Sequence, residues 1–121
     1  MADNKFTDTY KELTSYLPKL TDGISLCCDS LRNGDINKGT TLLSGILDGI
    51  GWVLDAAVLT EPLNNIHIDI QGMNDTLSGL LNAIQTGDYI LTADMLEYEI
   101  APILTSFMDN AKNKPGDRYD G

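Results

Sequence analysis

The sequence predicts an all-α protein, an antiparallel up-down-up-down four-helix bundle, on three observations. Apolar residues recur in alternating steps of three and four along four segments. Two Gly-Asp steps, Gly34-Asp35 and Gly87-Asp88, each separate one such run from the next. The connections left over span only two to four residues, which makes sequential helices antiparallel neighbours. Glycine takes the left-handed conformation just past a helix without a Cβ clash, and aspartate accepts the free N–H groups of the next helix's first turn. A stop and a start in adjacent residues therefore form a tight corner, used twice.

The first segment, about Asn4 to Asn33, carries Phe6, Tyr10, Leu13, Leu17, Leu20, Ile24, Cys27 and Leu31 on one face. Pro18 falls inside it and predicts a kink or short break, since proline removes one hydrogen bond and presses on the carbonyl four residues back. The second, about Ile36 to Leu59, places Ile36, Gly39, Leu43, Ile46, Ile50, Val53 and Ala57 on the core side, widened by Leu47, Leu54 and Val58. Gly45 and Gly49 interrupt it beside Trp52, which predicts close approach of another backbone or a large ring. Thr60-Glu61-Pro62 marks the next start, because proline suits a helix's first turn. The third runs to about Thr86 with Ile66, Ile70, Met73, Leu77, Leu80 and Ile84 on its inner face. The fourth, about Tyr89 to Ala111, has Tyr89, Ala93, Leu96, Ile100, Ile103 and Phe107, with Pro102 expected to distort the turn holding Tyr98. These assignments put the bundle domain at residues 1–112 and a flexible tail at 113–121.

At 121 residues the chain is one domain with enough length for a core of its own. The first residues enter an amphipathic pattern without an apolar leader, and Cys27 and Cys28 are adjacent, a poor geometry for a disulfide. Both favour a reduced, cytoplasmic setting. Leu42 to Leu59 is apolar enough to be weighed as a membrane span, but it holds Asp48 and Asp55 and reads better as a buried bundle helix. The net charge of −10 is unevenly placed: the 73 residues from Gly39 to Ala111 hold ten acids and no Lys or Arg. Such a surface repels phosphate backbones and anionic lipid, so neither nucleic acid nor membrane is expected as a partner. It favours solubility through self-repulsion first, a basic protein partner second and divalent cations third.

Catalytic groupings are absent from the pattern. Asp94 and Glu97 share a helix face and Glu99 does not, while a carboxylate-bridged di-metal bundle needs Glu-x-x-His pairs that a chain with one histidine lacks. His67 and Asp69 are two apart and do not face each other on a helix, so His67 reads as a helix-surface residue. Asp35-Ile36-Asn37-Lys38-Gly39 misplaces the glycine of a calcium loop and has Ile46 where its glutamate belongs. Cys27 and Cys28 lack an activating neighbour and read as buried structural thiols. No cofactor or metal is expected, and the chain reads as a non-enzyme.

The surplus is apolar. Leu91, Met95, Tyr98, Leu104 and Met108 exceed what one helix stripe needs, so they either contact two neighbours or form a homodimer seam or partner groove. These five residues are the candidate interaction surface. The stretch from Gly87-Asp88-Tyr89 through Ala93-Asp94-Met95-Leu96-Glu97-Tyr98-Glu99 to Pro102 resembles a signature of small uncharacterised helical proteins of Gram-positive bacteria. That resemblance implies a helical bacterial domain and transfers no activity. In class alone the chain is also similar to flagellar or type III secretion chaperones. The expected function is a cytosolic interaction or adaptor bundle that binds a basic or helical protein, or itself. The alternatives are a chaperone of an exported protein, a small-molecule or metal-binding enzyme with an interior site, and a structural piece of a larger assembly.

Overall fold

The computed structural model describes residues 2–113, so Met1 and nearly all of the expected tail lie outside it. Among the described residues there are four helical rods and no strand. The first three are α1 (Ala2–Arg32), α2 (Ile36–Asn64) and α3 (Ile70–Gln85). The fourth is continuous but composite: α4 (Tyr89–Met95), a π-helical segment (Leu96–Ile100) and α5 (Ala101–Asn113). This is the expected four-helix bundle. α2 packs chiefly along α1, α3 packs along α4, and α1 joins the two pairs through α4 and α5.

Both Gly-Asp corners form as the residues dictate. Gly34 and Gly87 have φ of +85° and +74°. The N–H of Asp35 bonds to the carbonyl of Ser30 and that of Gly34 to Leu31; Asp88 bonds to Ala83 and Gly87 to Ile84 in the same pattern. These pairs satisfy the carbonyls that a helix end leaves over. The aspartate carboxylates then cap the next helix, Asp35 accepting from Lys38 and Asp88 from Leu91 at 3.1 Å.

Three boundary details differ from expectation. Pro18 lies inside an unbroken α1. Pro62 also lies inside a helix, in the last turns of α2, and does not open α3. The carbonyl it deprives of a donor, that of Val58, belongs to an exposed residue. The stop is Asn65, in the left-handed conformation at φ 57°, and α3 begins only after Asp69, which accepts from the Gly72 N–H at 2.9 Å. His67 accordingly sits in the 65–69 loop and not on a helix surface; its Nδ1 lies 3.3 Å from a Glu61 oxygen.

The core runs the length of the bundle. Leu13, Leu17, Val53, Met73, Leu80, Leu96, Ile100 and Leu104 are fully buried, and Leu77 packs partly buried against them. The expected distortion at Pro102 takes a definite form. Without an N–H at Pro102 the Tyr98 carbonyl loses its partner, and the preceding turn relaxes to i→i+5 bonding, with the Ala101 N–H on the Leu96 carbonyl. A π turn holds one extra residue, so the inner stripe beyond it steps by four: Leu96, Ile100, Leu104.

Candidate functional site

The outer seam between α1 and α2 forms an open hollow of about 550 Å³, lined by Glu12, Ser15, Tyr16 and Lys19 from α1 and by Gly45, Asp48, Gly49 and Trp52 from α2. Each set is one helix face in steps of three and four. The hollow continues as a smaller channel of about 260 Å³ past Gly23 and Leu42. Its floor is low because a Cβ at Gly23 or Gly45 would meet nothing within 4 Å. Gly49 is different: the Tyr16 ring lies directly over it, 3.1 Å from where a Cβ would sit to Tyr16 Cζ. The glycine lets that ring down onto the helix, where it meets Trp52 edge to face, centroids 5.7 Å apart and planes at 88°. The large ring expected near these glycines is Tyr16.

Exposed apolar side chains follow the same seam. Trp52 is 39% exposed, and Leu59 and Leu63 continue its stripe down α2; Leu26 continues the α1 side. α2 is the one described helix long and apolar enough to cross a membrane by length and composition, and less than half of that apolar window is buried. The burial expected of α2 therefore holds for the side facing α1 and fails on the outer side. Sequence reasoning missed this groove. The available signal was the run Gly45, Asp48, Gly49, Trp52, in which two glycines share one helix face with a large aromatic.

A second cluster stands where the end of α1 meets the π segment. Arg32 reaches across the bundle, pairing with Asp94 at 2.8 Å and with Glu97, and its guanidinium lies 6.0 Å from the Tyr98 ring centroid. The shared face predicted for Asp94 and Glu97 is what lets one guanidinium fork between them. Hydrogen bonding from Arg32 holds the Glu97 carboxyl below its ordinary value, and the Glu97 carboxylate beside Tyr98 pushes that phenol upward. All three charged side chains are partly solvated, so the cluster fixes geometry more than it stabilises.

The five residues of the expected interaction surface do not form one surface. Leu91 and Tyr98 are exposed, at 45% and 67%, whereas Met95 and Leu104 are buried and Met108 packs half-buried against the core. Met95 turns inward because Gly79 of α3 leaves it room, with the thioether methyl 2.8 Å from where a Gly79 Cβ would be. Leu104 turns inward because the π segment advances the stripe to it, leaving Ile103 half-buried.

Both cysteines are buried and unpaired. Cys27 Sγ donates to the Gly39 carbonyl of α2 at 3.3 Å, and Cys28 Sγ to the Ala93 carbonyl of α4 at 3.4 Å. Burial pushes both thiols upward, Cys28 to about 11. Such thiols are poor nucleophiles at neutral pH. Among the described residues no three His, Cys, Asp or Glu side chains stand together as a metal site.

Fold and site together define a small acidic helical bundle with an open groove between its first two helices. Residues 8–110 match the family described as "Domain of unknown function (DUF8042)", and the chain belongs to that family. No curated protein and no solved structure gives a significant match.

Proposed function

We propose that this chain is a non-enzymatic interaction bundle of the bacterial cytosol, which seats a basic, amphipathic helix of a partner protein in the α1–α2 groove. The supporting observation is the groove itself: glycine-floored, lined by exposed Trp52 with Glu12, Asp48 and Lys19, and continued along the same helix faces by exposed Leu26, Leu59 and Leu63. An exposed apolar strip with a polar rim is the usual form of a protein-binding surface, and helices dock into such grooves through residues three and four apart. Glu12 and Asp48 outnumber Lys19 in the lining, and α2 carries no Lys or Arg after Lys38, which favours a basic helix over an acidic one. This moves the interaction surface from the fourth helix, where two of five expected residues are buried, to α2.

The test is Gly45→Leu, which fills the groove from a position where the new Cβ meets no other atom. Wild-type and variant chains of equal helicity serve as baits in extract of the source cell. A partner held by the wild type and lost from the variant supports the reading. Identical captures, a wild-type dimer broken by Gly45→Leu, or avid binding to neutral phospholipid vesicles would each overturn it, the last in favour of a membrane surface.

A further inference from the structure

We propose that the Tyr16–Trp52 corner of this groove is a guanidinium seat, which takes one arginine side chain of the docked partner. The inference rests on the reading above and adds the chemistry of the anchor. Two aromatic planes stand at 88° to each other, and Trp52, the strongest aromatic partner for a cation, is 39% exposed beside the hollow. Glu12 and Asp48 line the same hollow, and among the described residues neither is engaged in an ion pair. Lys19 is the one cation of the lining, so the lining keeps one net negative charge.

The chain already seats an arginine of its own with the same components. At the α1–π segment junction Arg32 is held by two carboxylates, Asp94 and Glu97, beneath the Tyr98 ring. In the α1–α2 groove two carboxylates and two aromatic rings recur, and no described arginine lies among them. Guanidinium fits better than ammonium because it is planar, stacks on an aromatic face and still bonds to a carboxylate through its edge N–H groups. The floor at Gly45 leaves depth for its stem.

Trp52 is the chain's single tryptophan, so its indole N–H resonance reports on this corner alone. The probe is N-acetyl-arginine amide, titrated beside N-acetyl-citrulline amide, which has the same shape without the charge. Arginine should shift the Trp52 and Gly45 resonances saturably, with citrulline about tenfold weaker. Asp48→Asn should weaken arginine several-fold, Lys19→Gln should tighten it, and Gly45→Leu should abolish it. Equal response to both probes, an unchanged Asp48→Asn, or unsaturated shifts spread over remote acids such as Asp75 and Glu99 would overturn the seat. The two readings fail separately. If Asp48→Asn captures the partner as well as wild type while Gly45→Leu does not, the groove stands and the arginine seat falls.

Discussion

Two glycines six residues apart in α2 make the sharpest test of how the first hairpin is packed. At Gly45 a Cβ meets nothing within 4 Å, so Gly45→Ala gains helix propensity at no steric cost. That gain is about 1 kcal/mol, and it raises the melting temperature by roughly 3–6 °C. At Gly39 the same atom would lie 2.8 Å from Leu31 Cγ and 3.4 Å from the Leu31 backbone nitrogen, with the leucine's Cδ2 nearer still. Leu31 has no room to yield: it is 2% exposed, and its carbonyl holds the Gly34 N–H of the corner. The Gly39 carbonyl in turn receives the Cys27 thiol. Overpacking of this kind costs about 1–3 kcal/mol, which outweighs the propensity gain and leaves Gly39→Ala roughly 1 kcal/mol or more less stable than wild type. Urea unfolding followed by far-ultraviolet circular dichroism should place the two variants on opposite sides of wild type. Midpoints shifted in the same direction would refute the packing argument for α1 on α2.

Met95→Glu should lose roughly 3–5 kcal/mol of stability, because it empties a core position and buries a carboxylate over Gly79, while Leu91→Glu one turn away should change stability by less than about 0.5 kcal/mol. Denaturant midpoints of the two variants check this, and a stable Met95→Glu would return that residue to the surface. Asp88→Ala should cost about 1 kcal/mol through loss of its hydrogen bond from the Leu91 N–H, read as a lower melting temperature. The Cys28 thiol, held protonated to about 11 in the fold against an ordinary 9.0, contributes stability that is fully present below pH 9. That contribution is lost as pH rises from 9 towards 11, since the unfolded chain releases its proton first. Urea midpoints measured up to pH 10.5 should fall more steeply for wild type than for Cys28→Ala.

What the sequence disclosed follows the range over which each signal acts. Helix stripes and Gly-Asp corners are local, so Leu13, Ile50 and Leu96 are core as expected and both corners form. Pro62 misleads because its local preference for a first turn is overridden: the helix runs on through it to Asn65, which supplies the left-handed stop. Pro102 signals a disturbance locally, but its consequence is a change of phase, which only the packing of the whole rod displays. Met95 depends on a glycine in another helix, and Arg32 on two acids more than sixty residues away. The groove is the least legible feature. It is defined by what does not cover α2, and periodicity marks which face is apolar without saying whether a neighbour covers it.

The two corners bear on the ancestry of the hairpins. They lie 53 positions apart and repeat atom for atom: the aspartate N–H reaches five residues back, the glycine N–H three, and the aspartate carboxylate three forward. A duplication would produce that identity, but so would the physics of the Gly-Asp dipeptide, which satisfies a helix end and a helix start wherever it occurs. The packing beyond the corners discriminates between these explanations. In the first hairpin Gly39 and Gly49 admit Leu31 and the Tyr16 ring of α1; in the second, Gly79 admits Met95, with the small residue now on the earlier helix and the large one on the later. The first hairpin joins two uninterrupted helices, whereas the second joins a short helix to one broken by a π turn. Glycine contacts of opposite sense are what independent solutions to one corner would give, so the corner repeat alone carries no case for duplication. The same asymmetry explains why the groove belongs to the first hairpin: there the glycines outnumber the side chains sent to fill them, and Gly23 and Gly45 are left open.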